Sequence, residues 1–166
     1  MAYDLIKEGQ IGEIKTILEN IHWGDPGLPT HYLTKAYGGV VLENGVHTLD
    51  HFCYLTGNDD WKVEHARVGN DNWRMETPDW GEATLSTNKH VAHASWLWPK
   101  SFTAGMDGYT VTLIGTEGKL TIFGFDGLKL EYKDGIYEHH FYRPSKVKKK
   151  DIYLAFLLKC KHCLEQ

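Results

Sequence analysis

Gly38-Gly39-Val40-Val41-Leu42-Glu43-Asn44-Gly45-Val46-His47-Thr48-Leu49-Asp50-His51-Phe52-Cys53-Tyr54-Leu55-Thr56-Gly57 is the stretch on which the reading of this chain turns. A glycine pair opens it and Gly57 stands where a left-handed cap would close it, so the spacing predicts one helix over 38–57. Leu42, Val46, Leu49 and Cys53 recur at helical spacing, and that stripe is expected to face the core. One position along, Glu43, His47, Asp50 and Tyr54 repeat the spacing, which sets acid and imidazole side chains one turn apart. Such a pair suits acid–base work, because the carboxylate accepts from one ring nitrogen and leaves the other to exchange a proton with a substrate. The same residues would also suit the solvent boundary of an amphipathic helix.

Working outward, a length of 166 residues with 42% hydrophobic and 13% aromatic content is enough for one globular domain over 1–166 with a core of its own. The formal charge of 18 minus 22, or −4, comes without an arginine-rich stripe, which argues against a nucleic-acid surface or a polybasic membrane patch. The basic run at Lys146-Val147-Lys148-Lys149-Lys150 reads as a solvated loop leading into a helix. No apolar segment approaches the ~20 residues of a membrane span, and no signal-like segment precedes Leu5, so a cytoplasmic setting is expected. Three cysteines are an odd count that favours reduced thiols. Cys160-Lys161-His162-Cys163 is a C-x-x-C without a second pair or a preceding strand, so these cysteines read as helix residues rather than a metal or redox site.

Residues 2–8 read as the end of a helix stopped by Gly9, and 14–23 as a strand with Ile17 and Ile21 on one side and Leu18, Asn20 and His22 on the other. The Gly/Pro-rich loop 24–29 then delivers Lys35 and Tyr37 to the mouth of the central helix. With His22 at the strand end, these two are candidate substrate-pocket residues by position. A strand is expected at 61–68, an irregular polar segment at 70–80, and a hairpin of 83–87 with 90–98 across Asn88-Lys89. A second hairpin joins 109–114 to 119–123 across Gly115-Thr116-Glu117-Gly118, with short strands at 128–132 and 136–142 and a last helix capped by Asp151. Strands joined by tight turns and framed by a few helices make the fold α+β, an open, mainly antiparallel sheet with helices packed on one face.

On the strand 90–98, His90, Ala92, Ala94, Trp96 and Trp98 share a face. Aromatic rings beside small residues suit stacking on a sugar, which makes Trp96 a substrate-contact candidate, while sheet packing and a subunit interface are the commoner uses of a strand tryptophan. Metal binding is not expected. His90 and His93, and likewise His139 and His140, alternate across a strand and cannot converge on one ion without a bulge.

The pattern Gly-Gly, acid, x-Gly-x-His, x-x-Asp, then leucine and Gly resembles the signature helix in the C-terminal half of the Gfo/Idh/MocA oxidoreductases, the family of glucose–fructose oxidoreductase and inositol dehydrogenase. Leu5-Ile6-Lys7-Glu8-Gly9-Gln10-Ile11-Gly12-Glu13-Ile14 is similar to the entry to that domain, and Ile114-Gly115-Thr116-Glu117-Gly118-Lys119-Leu120 resembles its late hairpin. The resemblance implies that Glu43 and His47 occupy the positions of the family's acid and histidine, where the histidine handles the proton of a sugar or polyol hydroxyl, and that Asp50 supports them. Glu43 stands where many members carry aspartate.

In that family an N-terminal Rossmann half carries the NAD or NADP site and a Glu-Lys-Pro segment. Neither that segment nor a G-x-G-x-x-G after a strand occurs here. The resemblance therefore implies the substrate-binding and oligomerising domain of an NAD(P)-dependent oxidoreductase, without the nucleotide-binding half. Alone it is expected to bind no cofactor and to be inactive, and to form a homo-oligomer through its open sheet. A stand-alone ligand-binding or scaffold domain that dimerises through its sheet is the alternative from a different class. A small acid–base enzyme using His47 and Glu43 unaided is a third, for which no electrophile or oxyanion site is evident.

Overall fold

The alternation in Ile14-Lys15-Thr16-Ile17-Leu18-Glu19-Asn20-Ile21-His22 sends every second side chain to the same face, and this segment becomes the central strand, β1 (Ile14–His22). The structure, a computed structural model, describes residues 2–22, 37–58, 60–73, 76–99, 108–124, 127–132 and 135–140. Around β1 stand two helices, α1 (Ala2–Lys7) and α2 (Gly39–Thr56), and seven further strands: β2 (Lys62–Gly69), β3 (Trp80–Ser86), β4 (Val91–Leu97), β5 (Tyr109–Gly115), β6 (Gly118–Phe123), β7 (Gly127–Tyr132) and β8 (Gly135–His140). They form one sheet in the order β2-β3-β4-β1-β5-β6-β7-β8.

The expected α+β architecture is the observed one. Neighbouring strands are antiparallel throughout, with one exception: β1 and β4 run parallel, Ile17 opposite Ala92 and Ile21 opposite Trp96. A parallel pair needs a long crossover, and here α2, β2 and β3 lie in it. The hairpins at 87–90 and 115–118 form as expected; Thr87 N–H donates to the His90 carbonyl at 2.9 Å across Asn88-Lys89. The strand beginning near Ala83 instead starts at Trp80. There the buried Asp79 organises the preceding loop by accepting from the N–H groups of Asn72 and Trp73. The expected last helix, the lysine run and the C-x-x-C lie outside the described residues.

The core lies on the helix-covered side of the sheet. Ile17, Ile21, Ala92, Ala94, Trp96, Val111, Leu113, Leu120, Leu128 and Leu130 point there and share one buried cluster with Val40, Phe52 and Leu55 of α2. Tyr3 of α1 stacks on Tyr54, ring centroids 4.8 Å apart, which seats α1 against the far end of α2.

α2 forms with the expected caps but with the opposite face inward. Gly57, at φ 67°, donates its N–H to the Cys53 carbonyl and ends the helix in the left-handed conformation. The stripe expected in the core faces outward: Leu42, Val46 and Leu49 are 55%, 54% and 45% exposed. Gly39, Val40, Asn44, Thr48, Phe52 and Leu55 are buried in its place. The cause is close approach. Gly45 lies over the Trp96 ring, where a Cβ would be 3.5 Å away, and Val41 sits on Gly81, so the helix meets the sheet through its smallest residues. The Trp96 indole N–H, buried beneath it, donates to Thr48 Oγ1 at 2.8 Å.

Candidate functional site

Helical geometry places Glu43, His47, Asp50 and Tyr54 within about 60° of arc on α2, next to the outward apolar stripe. His47 and Asp50 are exposed and Glu43 is half-buried. The three residues that spacing and resemblance single out therefore share an accessible flank of one rigid helix. Tyr37, immediately before the helix, is exposed at its N-terminal mouth. Lys35 lies outside the described residues.

Two other candidates are elsewhere. His22 ends β1 on the opposite, open face of the sheet, as its strand alternation requires, so it does not converge with His47. Its Nε2 lies 2.9 Å from Ser95 Oγ, Ser95 donates to Asn20 Oδ1 at 2.8 Å, and Asn20 Nδ2 donates to Thr110 Oγ1 at 3.3 Å. Since the single serine proton goes to Asn20, His22 must donate from Nε2. Burial holds the His22 imidazole below its ordinary range. Trp96 lies on the helix side, 7% exposed beneath α2, and takes the packing role of a strand tryptophan rather than presenting a ring to solvent.

His90 and His93 occupy opposite faces. The buried His90 has Nδ1 2.9 Å from the Ile14 carbonyl, and His93 meets Thr84 at 3.0 Å on the open side. Among the described residues no group of three or more His, Cys, Asp or Glu is arranged to hold a metal.

A carboxylate–imidazole hydrogen bond does form on α2, one turn beyond His47. His51 Nδ1 is 2.8 Å from Oε1 of Glu19, whose side chain has no exposed surface, whereas the His51 side chain is 23% exposed. The Tyr109 hydroxyl sits 3.1 and 3.3 Å from the two ring nitrogens. Burial, and then the charge of Glu19, push the Tyr109 phenol well above its ordinary range, so it stays a neutral O–H. Helical spacing points to His47 and gives no reason to single out His51. The available signal is Glu19 itself, which strand alternation puts on the same face as Ile17 and Ile21, where a carboxylate needs a partner.

The N-terminus of α2 is the one place among the described residues where a β-to-α junction could cradle a pyrophosphate. It is filled by the chain itself. The Val40 N–H donates to the Pro78 carbonyl at 3.0 Å. A Cβ on Gly39 would lie 2.2 Å from that oxygen and 2.8 Å from Thr77. These residues do not fit a dinucleotide.

The GFO/IDH/MocA C-terminal domain family matches residues 1–121. The chain belongs to that family. No curated protein sequence matches it. Among solved structures, an oxidoreductase from Erwinia carotovora atroseptica aligns with a TM-score of 0.76 at 23% identity, over 97% of this chain and 52% of that one. An oxidoreductase from Agrobacterium radiobacter in complex with NAD+, L-tartaric acid and magnesium aligns with a TM-score of 0.74 at 16% identity, over 89% and 44%. Levoglucosan dehydrogenase in complex with NADH and levoglucosan gives 0.69 at 17%, over 86% and 43%. Identities this low establish a shared fold for this GFO/IDH/MocA domain, and the chain spans about half the length of these structures or less.

Proposed function

We propose that this chain is the substrate-binding half of an NAD(P)-dependent oxidoreductase acting on a sugar or polyol-like substrate. The observation that carries the reading is the outward flank of α2. The exposed His47 and Asp50 and the half-buried Glu43 stand beside Leu42, Val46 and Leu49, an apolar stripe that a monomeric domain would ordinarily bury. A second domain seated on that stripe would close over His47 and exclude water from it. Levoglucosan dehydrogenase with NADH and levoglucosan, and the tartrate complex with NAD+, are relatives of this fold in which a dinucleotide and a polyhydroxy compound are bound together.

In this reading the His47 imidazole takes the proton of a substrate hydroxyl, Glu43 stabilises the resulting imidazolium, and Asp50 and Tyr37 contact further hydroxyls, with Lys35 joining them from the loop before the helix. The dinucleotide is held by the other half and supplies the redox chemistry. The open face of the sheet pairs with a second copy. It presents Leu18, Val91, Ile114 and Phe123 around the Asn20–Ser95–Thr110 hydrogen bonds, a mixture of apolar and matched polar groups suited to an interface.

The test is His47→Ala in a protein that joins this chain to its nucleotide-binding half. Turnover should fall by about 10²–10⁴, the usual worth of a general acid–base group, while nucleotide affinity changes by less than about twofold. Equal losses in both, or unchanged turnover, would sink the assigned role.

A further inference from the structure

α2 has two ways to lie on the sheet. The observed one buries Val40, Asn44, Thr48, Phe52 and Leu55 and leaves Leu42, Val46 and Leu49 outside. Rotation by about 150° about its own axis would bury the apolar stripe instead. That rotation would expose Val40, Phe52 and Leu55 in exchange, so apolar burial alone does not choose between the two, and specific contacts must act beside the close approach at Gly45 and Gly81 to fix the first.

The contacts that can do so are polar and directional. Trp96 donates to Thr48, and His51 reaches Glu19. Of the two, the Glu19 contact is the costlier to build. Its carboxylate is fully buried between β1 and α2, and Oε2 has no hydrogen-bond partner among the described residues. A buried acid with one oxygen unmatched is a poor source of stability and a good source of specificity, because any helix rotation that removes His51 leaves the buried carboxylate without its imidazole and with only the Tyr109 hydroxyl beside it. Tyr109, from β5, closes the third side of the imidazole.

We propose that Glu19 and His51 form a rotational lock on α2, positioning residues that fix which flank of the helix carries Glu43, His47 and Asp50 outward. The lock acts through helix rotation and makes no contact with substrate. Its importance to catalysis rests on the reading of His47 given above, but the lock itself is read without substrate or cofactor.

The experiment is nitrogen-15 NMR of the histidine and tryptophan rings in the purified chain, with a urea melt alongside. In the wild type, His51 should carry its proton on Nδ1, because a carboxylate only accepts; a His51 ring protonated on Nε2 alone overturns the proposal without any variant. In Glu19→Gln, which keeps the acceptor, the His47 and Trp96 ring signals should stay single and close to wild type. In the double variant Glu19→Leu/His51→Leu, which replaces the pair with apolar side chains, the urea midpoint should be equal or higher, while the His47 and Trp96 signals split or move together. A folded double variant whose His47 and Trp96 signals match wild type overturns the lock, and so does a Glu19→Gln variant that loses them. The turnover test of His47 can succeed or fail independently of either result.

Discussion

Thr48 and Tyr109 show how single residues set the seat of α2. Thr48→Val keeps the shape beneath α2 but leaves the Trp96 indole N–H buried without its acceptor, so the chain should lose about 1–3 kcal/mol in a urea melt. Tyr109 gives a pH signature whose sign follows from linkage. Its pKa is raised in the folded chain above the ordinary 10.0, so above pH 10 the unfolded state releases a proton that the folded state keeps. Its contribution is fully present below pH 10 and is lost as pH rises further. Tyr109→Phe should therefore flatten the fall in the urea midpoint between neutral pH and pH 11; an unchanged slope would show that the phenol is not held neutral. At this scale sequence is a partial guide. Glu43, His47 and Asp50 share a flank as their spacing dictates, whereas the Glu19–His51 contact joins residues 32 apart on different elements and depends on how the helix is turned.

For α2 as an element, the glycines at both ends and the period of its apolar residues suffice to place a helix at Gly39–Thr56. They do not suffice to choose its inner face. Periodicity assigns the most apolar stripe to the core, but the face that meets this sheet is selected by close approach at Gly45 and Gly81 and by hydrogen bonding at Thr48, neither of which a hydropathy pattern records. Two substitutions separate the possibilities. Val46→Asp should change stability by no more than about 0.5 kcal/mol, as for an exposed site, where a core-facing position would cost about 2–5 kcal/mol. Gly39→Ala should cost at least about 2 kcal/mol, since the position combines a φ of 63° with a Cβ lying 2.2 Å from the Pro78 carbonyl. Both are read from denaturant midpoints.

Across the whole molecule, local signals carried most of the architecture. Tight turns at Asn88-Lys89 and at 115–118 imply adjacent antiparallel strands, and those pairings form. The parallel pairing of β1 with β4 is invisible to the same signals, because it is decided by a crossover more than 60 residues long and by the helix that fills it. That crossover leaves one side of the sheet packed and the other open, and it turns the flank bearing His47 away from both. The fold thus holds the helix that carries Glu43, His47 and Asp50 against the sheet, with its first turn packed on Thr77 and Pro78. The most direct test of the central claim, that this chain supplies the substrate side of a site whose nucleotide is held elsewhere, is a titration of the purified chain with NADH and NADPH, following energy transfer from its six tryptophans. No saturable transfer is expected with either nucleotide. A saturable curve with one nucleotide per chain would contradict it and place the cofactor site within these 166 residues.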